Sequence, residues 1–128
     1  MKGVVRTEAA PAPFQGAPYS QAIKANGFVF VSGQLALRPG ENHVAEGAIA
    51  EQTEQIFANL RAILEEAGTS LDNLVKTTVF LQDLGDFAGM NEVYARHVGD
   101  RPPARSTFEV AKLPSGALVE IEAIAALP

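Results

Sequence analysis

The sequence predicts an α+β fold: a two-layer sandwich in which a mixed six-stranded sheet carries two helices on one face, in the order β-β-β-α-β-α-β-β. Three observations predict it. Two segments repeat apolar residues near a 3.6 period, so each has a single apolar stripe to bury. Shorter runs rich in β-branched and aromatic residues alternate with them and read as strands. One of those runs, Phe28-Val29-Phe30-Val31, is apolar at every position and asks for burial on both faces.

In chain order, Gly3–Thr7 reads as a short edge strand. The Pro11-Ala12-Pro13 stretch that follows fits neither a central strand nor a helix interior. Tyr19–Ala25 and Phe28–Ser32 flank Asn26-Gly27, the dipeptide that best tolerates the two positive φ angles of a type I′ turn, so they form a hairpin. Gln34–Gly47 is a loop. A helix over about Glu46–Ala67 carries the stripe Ile49, Ile56, Phe57, Leu60, Ile63, Leu64, Ala67, and Gly68 ends it. Leu74–Leu81 is a strand. Asp83 or Asp86 caps a second helix, about Asp86–Val98, with stripe Phe87, Met90, Tyr94, Val98. Ala104–Val110 and Ala117–Ala125 are the last strands, joined through Lys112–Gly116 as an antiparallel hairpin. With no linker, repeat or low-complexity tract, residues 1–128 read as one domain.

Two helices cover one face of the sheet, yet Phe28–Val31 and Val79-Phe80-Leu81 ask for two. Further copies of the chain are the simplest cover for the second face, so a homo-oligomer is expected, of an order the residues leave open.

Composition narrows the function. The net charge is −5, and an acidic domain repels a phosphate backbone, so no nucleic-acid partner is expected. There is no cysteine, which removes disulfides, thiolate metal sites and a thiol nucleophile, and fits a reducing, cytoplasmic setting. His43 and His97 are far apart and lack metal-ligand spacing, so no metal site is expected. The opening residues have no apolar core of a signal peptide, and no run is long enough to span a membrane.

The chemistry-bearing candidates gather on the last two strands. Arg105, Thr107 and Glu109 share one face of the first; Leu118, Glu120 and Glu122 share one face of the second. In a hairpin with Thr107 opposite Leu118, Arg105 meets Glu120. Two readings follow. The pair is a sheet ion pair stabilising by about 0.2–1 kcal/mol. Alternatively, Arg105 offers its planar fork to a substrate carboxylate and Glu120 activates a water. Tyr19 is either a lid hydroxyl or a packed surface residue, and Ser32-Gly33 either approaches a ligand or begins a turn. Asn91 lies beside the second helix's stripe and needs an amide partner. His97 complements a helix dipole, Asp83 and Asp86 are caps, and Lys76 is a sheet-edge or surface charge. No nucleophile-elbow motif supports a serine triad.

The stretch Pro103–Leu113 (PARSTFEVAKL), followed by Val119–Ala123 (VEIEA), resembles the C-terminal signature of the RidA (YjgF) family. Pro18–Ala22 (PYSQA), Ser32-Gly33-Gln34, Val75–Leu84 and Asp86-Phe87 with Asn91 and Tyr94 are similar to further parts of that family, so the resemblance runs nearly end to end. It implies a chorismate-mutase-like fold, a homotrimer with clefts between subunits, and hydrolysis of 2-imino or enamine acids such as 2-aminoacrylate to 2-keto acids and ammonia. Such intermediates leak from pyridoxal-phosphate-dependent dehydratases, and the family's reaction needs no cofactor or metal. Carried over, the resemblance gives Arg105 the carboxylate and Glu120 the attacking water. Tyr19, Ser32, Gly33 and Asn91 line the cleft, Phe87 supplies an apolar wall, and the Thr107 N–H bonds substrate or product. Three departures bear on substrate range: Thr107 stands where many members have Cys, Arg101-Pro102 precedes Pro103 where an aromatic residue is common, and Gly16-Ala17-Pro18-Tyr19 is one residue longer than the usual Gly-Pro-Tyr. The rival functions are a non-catalytic 2-keto acid-binding regulator and, as in some relatives, an RNA-cleaving translation inhibitor.

Overall fold

Asn26 and Gly27 adopt φ of 51° and 82°, the left-handed pair that a two-residue hairpin requires. They join β2 (Ala22–Ala25) to β3 (Phe28–Gln34) in the computed structural model, which describes residues 1–128. β1 (Gly3–Val5) adds antiparallel to the outer edge of β2, an edge strand as expected. The first helix, α1 (Ile49–Ala67), starts at the first residue of its stripe, three residues after the expected Glu46. The Ala48 N–H there donates to the Glu51 carboxylate at 2.8 Å, and Gly68 closes the helix at φ 92°.

β4 (Leu74–Leu81), α2 (Phe87–Val98) and β5 (Ala104–Glu109) follow, and β5 lies parallel to β4. The three make a β-α-β unit, in which a helical crossover returns the chain in the same direction. β6 (Val119–Ala126) then runs antiparallel between β3 and β4. The sheet order is β1-β2-β3-β6-β4-β5, and both helices pack on one face.

The expected hairpin between the last two strands does not form. The Lys112–Gly116 region does turn, with Ser115 and Gly116 at φ 54° and 70°, but it carries the chain past the end of β4. Gln82 holds that crossing: its N–H donates to Leu118 O at 3.0 Å and its side-chain oxygen accepts from the Leu113 N–H at 2.8 Å. The physical reason is burial. Val119, Ile121, Ala123 and Ala125 all sit beneath the helices, and only a central position pairs both backbone edges of so buried a strand. β5, whose exposed and half-buried residues need less cover, takes the edge.

One core lies between sheet and helices. Val29, Val31, Val79, Leu81 and Ile121 meet Ile56, Phe57, Leu60 and Leu64 of α1 and Met90 of α2. The other face is bare over much of its area: Phe28, Phe30 and Phe108 are 39%, 44% and 52% exposed. These are the alternate residues of the strands whose partners fill the core. No helix is long and apolar enough to cross a membrane.

Candidate active site

Register decides where the two key charges go. Thr77 of β4 pairs with Arg105 on one side and Ala123 on the other, while Phe80 pairs with Phe108 and Glu120. Paired residues share a face and alternate residues reverse it. Ala123 belongs to the core, so Arg105 is on the helix-covered face and Glu120 on the bare one. β4 lies between their strands. The cross-strand Arg105–Glu120 contact expected from a hairpin is therefore absent within one chain, because β5 and β6 are not neighbours.

Arg105 stands at the free edge of the sheet against α2. Its Nη1 donates to Asn91 Oδ1 at 2.8 Å, and its guanidinium lies over the rings of Tyr94 and Phe87, 4.7 and 5.5 Å from their centroids. Phe87, Asn91 and Tyr94 recur at i, i+4 and i+7, so one face of α2 forms this shelf. Asn91's expected amide partner is thus Arg105 itself. Tyr94 was not among the expected site residues, although the same spacing marked it. Its hydroxyl bonds Thr77 Oγ1 at 2.6 Å. Burial raises its pKa against the lowering effects of that bond and of Arg105, so the phenol stays protonated. Arg105 takes part in none of the chain's ion pairs, so most of its five N–H donors have no carboxylate to meet.

Thr107 sits two residues along β5. The Val110 N–H donates to Leu81 O at 3.0 Å, and backbone alternation then turns the Thr107 N–H outward, to the free edge. Its hydroxyl does the reverse: Oγ1 is buried without a hydrogen-bond partner. The exposed polar contact this residue offers is its backbone N–H, and the hydroxyl does not stand in for a thiol at the surface.

The second group forms on the bare face. β3 carries one extra residue relative to β6, since Val31 pairs with Ala123 but Gln34 with Ile121. This bulge falls at Ser32-Gly33, a device that re-aims side chains near functional sites. Tyr19, Ser32, Gly33 and Glu120 come together there around a cleft of about 330 Å³. Gly33 leaves room for the Glu120 carboxylate: a Cβ at this position would overlap it and push it aside. Ser32 Oγ donates to Ser20 O at 2.6 Å, and Tyr19 Oη accepts from the Phe14 N–H, which leaves the phenolic proton free to donate. Gln21, buried and unsuspected, ties down the segment carrying Phe14: its amide donates to Thr7 O at 3.0 Å and Pro11 O at 2.8 Å and accepts from the Thr7 N–H at 2.7 Å. Burial, and then the charge of Glu122, raise the pKa of Glu120 above its ordinary 4.5. A carboxyl of this kind exchanges a proton more readily near neutrality than an exposed one.

The remaining candidates are structural. Asp83 caps a turn by accepting from the Gly85 N–H at 2.7 Å. Asp86 precedes α2 without a side-chain cap bond. His97 stacks on Phe57 at 4.6 Å and meets Glu54 at 3.1 Å. Lys76 donates to Ser106 Oγ at 3.3 Å. No three His, Asp or Glu side chains converge in an arrangement that would hold a metal ion.

The chain thus carries two separate candidate groups, a cationic shelf at Arg105 and a carboxyl-lined cleft at Glu120. The family model described as endoribonuclease L-PSP matches residues 7–127. Reactive Intermediate Deaminase A, chloroplastic, of Arabidopsis thaliana is 48% identical over 98% of this chain and 66% of its own length. The crystal structure of yeast Mmf1 superposes with a TM-score of 0.94 at 46% identity, covering 100% of both chains. A crystal structure of E. coli TdcF with bound serine reaches 0.88 at 35% identity, covering 98% of this chain and 99% of that one. Sequence and fold agree, and the chain belongs to the endoribonuclease L-PSP family, the group also called YjgF, RutC or RidA.

Proposed function

We propose that this protein is a cytoplasmic 2-iminobutanoate/2-iminopropanoate deaminase, acting in clefts between the subunits of a homotrimer. It hydrolyses 2-imino and enamine acids such as 2-aminoacrylate to 2-keto acids and ammonia. One observation carries the reading: each chain holds an Arg fork without a carboxylate and a half-buried carboxyl without a cation, on opposite faces of one sheet. An acid substrate with a reacting carbon beside its carboxylate needs both within a few ångströms, so a neighbouring copy completes the site. The exposed aromatics of the bare face give that copy a surface to cover. A structural neighbour described with bound serine supports a ligand of this shape, a carboxylate next to a carbon that bears nitrogen.

In the assembled cleft Arg105 of one copy binds the substrate carboxylate bidentately, with Asn91 fixing the plane of its guanidinium. The outward Thr107 N–H adds a donor to the same group, and Phe87 walls the site. Glu120 of the next copy, ionised, takes a proton from water as the water oxygen bonds to the imine carbon, and passes that proton to the imine nitrogen. The resulting 2-amino-2-hydroxy acid collapses: Glu120 takes the hydroxyl proton and hands it to the nitrogen, the C–N bond breaks, the hydroxyl oxygen becomes the keto oxygen, and ammonia leaves with Glu120 ionised again. Tyr19 and Ser32 flank this exchange. An enamine first gains a proton at its terminal carbon to become the imine. Positioning supplies most of the acceleration, and no bound cofactor or metal enters these steps.

The test generates 2-aminoacrylate with a dehydratase and follows release of ammonia and keto acid. Arg105→Ala is expected to lower kcat/KM by about 100-fold, the worth of a charge-assisted bidentate contact. Equal rates for variant and wild type would refute the carboxylate role. Calorimetric binding of 2-ketobutyrate without turnover would favour the regulator instead. The family description names an endoribonuclease, but net charge −5 and a cleft lined by a carboxyl oppose a phosphate backbone.

A further inference from the structure

The Glu120 cleft is larger and more apolar than the smallest imino acids need. Beyond Tyr19, Ser32, Gly33 and Glu120, its lining is Phe14, Leu35, Leu37, Pro11 and Pro114 with one amide, Gln34, and the small Ala12 and Ala17 leave space between them. Leu35 and Leu37 belong to a separate apolar cluster, with Leu113 and Ala117 and with Phe14 and Phe80 against it, apart from the main core. This wall is rigidly held. Asn59 of α1, itself buried, donates to Leu35 O at 3.2 Å and Leu37 O at 2.9 Å, and Leu37 bridges to Val44. Ala17 is extended, at φ −63° and ψ 153°, a conformation open to any side chain.

We infer that this wall is a side-chain subsite selecting imino acids with bulky apolar side chains, branched aliphatic or aromatic, over the methyl-bearing 2-iminopropanoate. The inference rests on the deaminase reading above. A 2-imino acid is trigonal at its reacting carbon, so carboxylate, nitrogen and side chain leave in three directions. Arg105 of the neighbouring copy claims the carboxylate, and Tyr19, Ser32 and Glu120 surround the nitrogen and water. The direction left for the side chain is the Phe14–Leu35–Leu37–Pro114 wall. Nothing on that wall could pair a charged side chain. A second carboxylate would meet Glu120, and the one amide of the lining, Gln34, is buried and already donates to Ser32 O at 3.1 Å, so a polar side chain would lose more water than it regains in partners. A methyl group leaves most of the roughly 330 Å³ unfilled, whereas an isobutyl or benzyl group removes apolar wall from water.

The experiment compares imines made in place by an amino-acid oxidase from alanine, leucine, phenylalanine and glutamate. Decay of each is followed by trapping what remains with semicarbazide. In a well-formed apolar pocket each added methylene changes kcat/KM by about 10- to 200-fold. With one side of this cleft open, the leucine-derived imine is expected to exceed the alanine-derived one by at least about tenfold in all, with the glutamate-derived imine poorest. Ala17→Phe fills the cleft from its exposed rim and should bring the leucine-to-alanine ratio back toward one. Phe14→Ala should lower the phenylalanine-to-alanine ratio, with melting curves verifying that both variants fold. Hydrolysis with a wild-type ratio near or below one, or a ratio that Ala17→Phe leaves in place, overturns the subsite and leaves the deaminase standing. Hydrolysis of none of the four imines overturns the deaminase reading, and the subsite with it.

Discussion

Mixing two inactive variants distinguishes a site shared between copies from one contained in a single chain. Arg105→Ala removes the proposed carboxylate clamp and Glu120→Gln the proposed proton acceptor. Within one chain the two strands are separated by β4, which sets them about 10 Å apart at ordinary strand spacing, and their side chains leave opposite faces. A substrate must meet its clamp and its water within about 3 Å of adjacent atoms, so no single chain can serve it. Loss of the general base alone costs about 10²–10⁴ in rate and loss of the clamp about 10², so each variant assembly retains about 1% or less. Suppose the two chains are unfolded together, mixed in equal amounts and allowed to reassemble. Each cleft draws Arg105 from one copy and Glu120 from the next, and each is intact with a chance of one half. About one quarter of wild-type activity returns, well above either parent. The assay is ammonia release from dehydratase-generated 2-aminoacrylate, with the oligomeric state verified by sedimentation. Failure to recover activity in mixed assemblies of the correct size would falsify the shared cleft.

Three further outcomes follow from the same geometry. Glu120 must be ionised to act as a base, and its pKa is raised, first by burial and then by Glu122. The acid limb of kcat/KM therefore lies above the ordinary 4.5 and disappears in Glu120→Gln. The stability effect has the opposite sense: the folded chain keeps this proton to higher pH than the unfolded one, so the group's contribution is full at low pH and is lost as pH rises through the folded value. Glu120→Gln should therefore raise Tm more at about pH 8 than at about pH 4, and an equal gain at both would contradict the shift. Asn91→Ala removes the 2.8 Å bond that aims Arg105, worth about 1.5–3 kcal/mol for a charged donor. KM should rise by about tenfold or more, and an unchanged KM would show that Tyr94 and Phe87 alone fix the guanidinium. Thr107→Val replaces a buried hydroxyl that has no partner with a methyl of the same shape. Urea unfolding should show a gain of about 1 kcal/mol, with activity kept because the outward N–H is untouched; a comparable loss would mean the hydroxyl is satisfied in the assembly.

Most of the fold was legible because its signals are local. The eight elements appear in the expected order, and β4 has the expected boundaries, Leu74–Leu81, because its flanking turns are unambiguous. The Asn26-Gly27 hairpin turns as its two residues demand. What failed was a choice between two pairings for β5. The turn at Lys112–Gly116 is a local cue and suggested a hairpin. The competing cue is topological: two strands joined by a helix pair in parallel, as β4 and β5 do. The alternate residues Val119, Ile121, Ala123 and Ala125, all apolar, also marked β6 for a buried, central place. The choice of candidate residues did not depend on this pairing, because a signature carried it, whereas the geometry expected for them did. Tyr94 was within reach of sequence reasoning, since it completes the i, i+4, i+7 face begun by Phe87 and Asn91. Gln21 was not, because its partners are backbone groups of a segment with no regular structure.

The corrected topology also changes what the two charges can do. Had Arg105 and Glu120 been cross-strand neighbours, each would have neutralised the other. The fork would be filled by a carboxylate of its own chain, and the nearby cation would push the Glu120 pKa down, weakening it as a proton acceptor. The fold avoids this by inserting β4 between them and turning them to opposite faces. Arg105 rests on an amide and two aromatic rings, which orient a guanidinium without competing for its charge. Glu120 is left with burial and a second carboxylate as its main influences, and both raise its pKa. Under the proposed assembly the two meet only across the substrate, whose own carboxylate engages the fork. In that proposal, the separation that leaves a lone chain incomplete is the same feature that keeps the clamp free and the base basic.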